Sequence, residues 1–303
     1  MRVTNGMIIN TTLHGLYSNM NALNKTYAQM ATGKKIQTVS DDPIIAGRAL
    51  KLKSTVLETA QFESNTKEAL SWMEVTESSL DNMTGILQDI RTKCVQASNG
   101  TLEEEDLAAV KTDIEQLWQQ LQEEANTTYN GRYVFSGYKT DQELMKDGSV
   151  NPEILKNGVD ETVEQGIEYE IGVNTTITVN TQGMGEIFNE IKTQLEEIIS
   201  SVEDENLDST EMNKMFTDKL EDIDNILDKV SEKTTELGSK MSRAIYTQER
   251  LTDQETSFKT LLSSTEDIDI EETYVNFNTQ YMAYQSALQA TSKIIQNTLA
   301  DYL

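Results

Sequence analysis

Apolar positions recur in steps of three and four along most of the chain. Near the start they fall at Leu13, Leu16, Met20, Leu23, Tyr27 and Met30. Residues three and four apart share one face of a helix, so this spacing predicts a helix that packs against another helix. Gly33 follows where a C-cap glycine belongs. A second helix is predicted from Pro43 to about residue 98, seamed by Met73, Thr76, Leu80, Met83, Leu87, Ile90 and Cys94. Asn99-Gly100 punctuates it. A third helix, about 102–129, carries Leu107, Val110, Ile114, Leu117, Leu121 and Glu124, and the turn between the two makes an antiparallel hairpin. Asn130-Gly131 is expected to end the third helix.

From residue 132 to 183 the texture changes to Gly-rich sequence in a Tyr/Val/Ile/Thr background. Tyr133-Val134-Phe135 reads as a strand. The alternation Ile167, Tyr169, Ile171, Val173 reads as another, paired with Ile177-Val179 across residues 174–176. Helix returns near Gly185 with Ile187, Ile191, Ile198 and Val202, followed by an acidic break at Glu203–Thr210. A long helix over about 211–264 is seamed by Ile223, Ile226, Val230, Leu237, Ala244 and Leu251. The last begins near Ile270, with Phe277, Tyr281, Tyr284, Leu288, Thr291 and Ile295 in sequence, and Leu299 and Tyr302 beyond them. The expected fold is mainly α: an elongated, nested helical bundle or coiled coil with a small β-rich insertion. Five segments follow: 1–38 and 266–303 as outer terminal helices, 39–138 and 184–265 as long inner helices, and 139–183 as the insertion.

Composition agrees with an elongated helical chain. Of 303 residues 37% are hydrophobic, only 6% are aromatic, and there are two prolines. The formal net charge of −26 argues against nucleic acid or an anionic membrane surface as a partner. The charge is unevenly placed. Residues 1–53 are basic on balance, residues 266–303 acidic, so the two ends carry opposite signs. The single cysteine, Cys94, excludes an internal disulfide framework and reads as a small buried hydrophobe. The start, MRVTNGMIIN, holds no signal-peptide-like apolar run, and no stretch approaches membrane-spanning length. The expectation is a cytosolic chain, or one exported without a cleaved signal, with no membrane insertion.

The segment GKKIQTVSDDPIIAGRAL at 33–50 is where chemistry would be sought first. A phosphate loop needs G-x-x-x-x-G-K-[ST] after a strand; here Ala28 stands at the first glycine, Lys35 follows Lys34, and the preceding segment is helical. Asp41-Asp42 as metal ligands would need further oxygens converging on them. The better reading is structural: Asp42 caps a helix, Pro43 suits its first position, and both acids favour the positive end of the helix dipole. His14, the one histidine, has no nucleophile or acid suggested beside it. The run Glu103-Glu104-Glu105-Asp106 lacks the spaced ligands and mid-loop glycine of a calcium site and reads as a helix start. No catalytic, cofactor or metal site is expected. The candidate functional residues are the two terminal seams, as assembly surfaces, and the caps Gly33, Asp41, Asp42 and Pro43.

Several stretches carry a family likeness. MRVTNGMI at 1–8, Met30 to Ile36 with its Gly-Lys-Lys, Ser40-Asp41-Asp42-Pro43, Tyr133 to Thr140, Val179 to Gly183, and Ser286-Ala-Leu-Gln-Ala-Thr-Ser-Lys293 resemble the bacterial flagellin family. Within that family they look like its hook–filament junction members. Filament subunits typically read DDAAGLAI where this chain has Asp41-Asp42-Pro43-Ile44-Ile45-Ala46-Gly47. The resemblance implies a structural protein, exported unfolded through the flagellar type III apparatus with an export chaperone holding its C-terminal helix. It would form a homo-oligomeric ring or tube and contact flagellin and the other hook–filament junction protein. The terminal helices would build the inner layer, disordered or loosely paired in the monomer, and the insertion would face outward. A filament subunit, a cytosolic coiled-coil adaptor and an enzyme with clustered carboxylates are the competing readings.

Overall fold

The computed structural model describes residues 5–98, 104–155, 166–203 and 209–296. In chain order the helices are α1 (Asn5–Thr32), α2 (Pro43–Ala97), α3 (Glu104–Ala125), a short α4 (Pro152–Leu155), α5 (Met184–Glu203), α6 (Ser209–Glu266) and α7 (Ile270–Gln296). Three antiparallel two-stranded ribbons interrupt them: β1 (Thr128–Tyr129) with β2 (Arg132–Tyr133), β3 (Met145–Lys146) with β4 (Ser149–Val150), and β5 (Glu168–Gly172) with β6 (Thr175–Thr178). Contacts divide the chain into two compact units, residues 59–252 and residues 1–58 with 253–303.

The unit formed by residues 59–252 holds the main core. Along α2 one buried row runs Thr66, Ala69, Met73, Thr76, Leu80, Met83, Leu87, Ile90, Cys94 and Ala97, an unbroken alternation of three and four, with Leu70, Trp72, Ser79 and Ile86 buried beside it. Along α6 Phe216, Ile223, Val230, Leu237, Ala244 and Leu251 are buried at every seventh position, and Ile226 and Thr247 are buried beside them. Both are coiled-coil-like seams, and small or hydroxylated side chains interleave with large ones. Thr76 satisfies its hydroxyl by donating to the Trp72 carbonyl, 2.8 Å away. Burial pushes the Cys94 thiol up to about 12, so it stays protonated. Val110, Ile114 and Leu121 of α3 and Ile187, Phe188, Ile191, Leu195 and Ile198 of α5 complete the helical core.

Two of the ribbons were not foreseen as hairpins: a strand was expected at Tyr133-Val134-Phe135, but β2 is Arg132–Tyr133 and the strand stops there. The third helix was expected to run to Tyr129, yet it ends at Ala125, and residues 128–133 form a hairpin. Asn130 and Gly131 have φ of 50° and 75°, and Asp147 and Gly148 repeat those values in the next hairpin. Positive φ at both central residues is what a type I′ turn demands, and Asn-Gly and Asp-Gly are its preferred sequences. Asn-Gly was therefore turning a hairpin as well as following a helix. Between these hairpins Asn126 pairs with the Met145 backbone through both side-chain atoms, at 2.8 and 2.9 Å, and so ties β3 to the end of α3. The pairing of 168–172 with 175–178 matches the expected strand pair, with Asn174 at φ 55° in the turn. The expected turn at Asn99-Gly100 and the middle of the acidic break at 204–208 lie outside the described residues.

Leu80 sits mid-seam with no exposed surface. Leu80→Ala should cost about 2–5 kcal/mol, from lost transfer energy plus the cavity left behind. A urea titration followed by helical signal measures it; a cost below about 0.5 kcal/mol would contradict the packing described.

Candidate assembly surface

The terminal helices lie in the unit formed by residues 1–58 and 253–303, where α1 and α7 pack along each other. They run antiparallel. The end of α1 meets the start of α7, where Lys34 and Asp267 form an isolated antiparallel bridge, and farther along Thr26 meets Gln280 and Tyr27 meets Phe277. The Tyr27 and Phe277 rings are tilted at 42° with centroids 6.4 Å apart, and Tyr281 stacks on Phe277 at 6.2 Å.

The positions buried most deeply in this pair are polar. Among the described side chains, Thr26, Thr273 and Thr291 are the buried ones of α1 and α7, with Thr26 only 5% exposed. Each donates its hydroxyl to the carbonyl four residues back, at 2.6–2.7 Å, so none is left unsatisfied. The expected apolar seams are covered less. Leu13, Leu16, Met20, Leu23 and Met30 of α1, and Phe277 and Tyr284 of α7, are half-buried. Tyr27 is 64% exposed and Leu288 42%, with Tyr281 similar. Ile295 lies in α7, whereas Leu299 and Tyr302 fall outside the described residues. Further apolar side chains stand exposed on the same pair: Met7, Ile8 and Tyr17 of α1, and Ile270, Tyr274, Val275 and Met282 of α7. His14 is exposed as well.

The segment 33–42 turns out to hold a double cap and a clasp. Gly33, at φ 71°, leaves the helix in the left-handed conformation while its amide still donates to the Gln29 carbonyl at 2.8 Å. Asp42 accepts from the Ile44 and Ile45 amides, both at 3.0 Å, directly ahead of Pro43 in the first position of α2. Asp41 does something else. Its Oδ2 accepts from the Thr38 and Gln37 amides and the Thr38 hydroxyl, which closes the loop on itself and holds this carboxyl below its usual range.

Sequence reasoning missed the partner of this segment. The Lys35 amide donates to the Glu266 carbonyl at 2.7 Å, and the Ile268 amide donates to the Gly33 carbonyl at 3.0 Å. Lys34 Nζ sits 2.7 Å from Asp267 and 3.6 Å from Glu266, and Lys53 reaches Glu266 at 2.8 Å. Asp269 then caps α7 through the Glu271 and Glu272 amides. The opposite charges of the two chain ends were the one signal that could have found this clasp. Among the described residues no group of His, Cys, Asp and Glu is placed to hold a metal ion, and no helix is long and apolar enough to cross a membrane.

Residues 3–140 match the bacterial flagellin N-terminal helical region, and residues 220–303 match the bacterial flagellin C-terminal helical region. Flagellar hook-associated protein 3 of Salmonella typhimurium is 26% identical over 306 residues, spanning 97% of this chain and 95% of its own length. A flagellin of Clostridium tyrobutyricum is 26% identical over 191 residues, spanning 60% of this chain and 51% of its own. The crystal structure of FlgL from Bacillus cereus superposes with a TM-score of 0.57 at 19% identity, over 70% of this chain and 99% of that one, which is a likeness of fold. This chain belongs to the bacterial flagellin family. It is a structural protein of the bacterial flagellum.

The clasp makes a pH prediction. Lys34, donating to Asp267, holds that carboxyl below its usual range, and the same bond raises the Lys34 ammonium. A depressed carboxyl contributes stability above its unfolded pKa of ~3.9, lost as pH falls through the folded value; a raised ammonium contributes below ~10.4, lost as pH rises through its folded value. Lys34→Met should therefore cost a roughly constant amount between ~pH 5 and ~pH 9, and less on either side. Both side chains are 39% exposed, so solvent screening limits that cost to about 1 kcal/mol at most. Melting curves of both proteins across pH check it; an undiminished difference at ~pH 2 contradicts it.

Proposed function

We propose that this chain joins the flagellar hook to the flagellin filament, and that it does so by self-association through its α1–α7 helices. The observation that carries this is a helix pair with threonines buried in its seam and its aromatic and aliphatic side chains half-buried or exposed. Isolated helices gain most of their stability from a covered apolar face, so this pair needs neighbours. The like pair on adjacent copies supplies them in a ring or tube. Residues 1–38 and 266–303 form its inner layer, residues 39–138 and 184–265 the next, and residues 139–183 the outward part.

Near-complete mutual coverage with a hook-associated relative, against partial coverage with a flagellin, supports junction over filament subunit. So does Pro43, where filament subunits typically carry alanine. The chain is exported through the flagellar type III apparatus, its C-terminal helix held beforehand by an export chaperone. It then meets the other junction protein on one side and flagellin on the other.

Deleting the gene should leave hooks without filaments and release flagellin to the medium; intact filaments on every hook would contradict the junction role. Leu23→Asp or Leu288→Asp should abolish assembly, because each places a charge in an apolar face that neighbours must cover. The melting of the 59–252 unit should not change. Motile cells carrying either variant would contradict the seam assignment. Amide exchange over 5–32 and 270–296 should be at least about a hundredfold faster in the free chain than in assembled flagella, since local opening is suppressed only when neighbours cover these helices.

A further inference from the structure

The α1–α7 pair is almost without charge in a chain whose net charge is −26. Between Asn5 and Thr32 the one Asp, Glu, Lys or Arg is Lys25, and between Thr273 and Ser292 there is none. Copies of so acidic a chain repel one another over most of their surface, and this pair is where that repulsion is weakest. Its two flanks differ in size. On one flank α7 carries Ile270, Tyr274, Phe277, Tyr281, Tyr284 and Leu288, an unbroken alternation of four and three. Phe277 and Tyr284 are half-buried and the other four exposed. α1 adds Leu13, Tyr17, Met20 and Tyr27 to the same flank, where the Tyr27 and Phe277 rings meet and Tyr281 stacks on Phe277.

The other flank is built of small side chains. At ~100° per residue, Asn276, Thr279, Ala283 and Ala290 lie roughly 150° around α7 from its large row. Thr12, Gly15, Asn19 and Ala22 lie roughly 135° around α1 from its own, with Ile8 ahead of them as a larger exception. Because the helices run antiparallel, both small rows fall on one flank, away from the rings. Gly15 has open space where a Cβ would stand, and Ala22, Ala283 and Ala290 are exposed. We propose that the ring-bearing flank of one α1–α7 pair packs against the small flank of the pair in a second copy, which rests on the self-association argued above. Helices approach closely where one side offers ridges and the other the grooves to take them. Rings against rings stop at dimers and leave every small flank uncovered. Rings against small residues make the contact heterologous, so copies add in one direction and close a ring or continue a helix.

The test fills the small flank. In cells lacking their own copy of the gene, Ala22→Phe with Ala283→Phe should cut the number of filament-bearing hooks at least about tenfold, since every contact is then overpacked. Both alanines are exposed in the free chain, so its melting should stay as it is. If this variant filaments normally while Leu288→Asp does not, self-association stands and the pairing of flanks falls. If both filament normally, self-association itself fails. A second measurement reads the contact directly. Flagella co-assembled from chains carrying Tyr281→Cys and chains carrying Ala283→Cys, then oxidised, should yield mixed disulfide dimers in preference to dimers of either alone. The two positions stand at nearly one height on opposite flanks. Cys94 is buried and takes no part. Tyr281→Cys pairing mainly with itself, or mixed dimers no more abundant than chance, overturns the proposal.

Discussion

A helix can bury an apolar stripe only where another helix lies over it, and the distribution of that cover organises the molecule. In the 59–252 unit the cover is complete. The α2 seam from Thr66 to Ala97 has no exposed position, and α6 matches it with a buried side chain at every seventh position from Phe216 to Leu251, with Ile226 and Thr247 buried beside them. Polar ties sit at the edges of this core. Arg91 grips Asp224 with two parallel hydrogen bonds at 2.6 and 3.1 Å, and Asn65 holds the Glu170 carbonyl of β5 at 2.9 Å. Such ties are partly solvated and contribute little energy, but they fix register between long helices that would otherwise slide.

The terminal pair inverts that arrangement. Its buried positions are threonines, each satisfied by its own helix, and its larger apolar side chains are half-covered or exposed. A small seam lets two helices lie close without committing their aromatic and aliphatic faces to each other. Those faces remain for neighbours. A helix pair built this way gains little stability by itself and would gain more once its apolar faces were covered.

The clasp between residues 33–35 and 266–268 matters because two chain corners meet there. Two backbone hydrogen bonds fix the register, and Glu266, whose side chain is 8% exposed, draws Lys34 and Lys53 onto one carboxylate. A buried carboxylate of this kind is costly to leave without a cation. Its contribution is therefore to specificity: it sets the point at which α1 hands over to α2 and α6 to α7.

Periodicity determined the long helices, though neither the end of α3 nor the short α4, because a continuous stripe of three and four has no other use. The α2 seam read from Met73 to Cys94 is wholly buried, as are Ile223, Ile226, Val230, Leu237, Ala244 and Leu251 of α6. Caps were legible for the same local reason: Gly33 and Asp42 act on backbone within four residues of themselves. Family membership was legible too, since two of its motifs, at 30–36 and 40–43, lie in those capped corners. The two short hairpins at 128–133 and 145–150 were not foreseen, because strands of two residues are too short to show alternation. Nor could the pattern say that Thr26 and Thr273 would be buried while Tyr27 stayed in solvent, or that Lys34 would find Asp267 across 233 residues. A stripe says that a helix has a partner. Which side chains the partner covers depends on rotation and separation of the two helices, and those are properties of the tertiary structure alone.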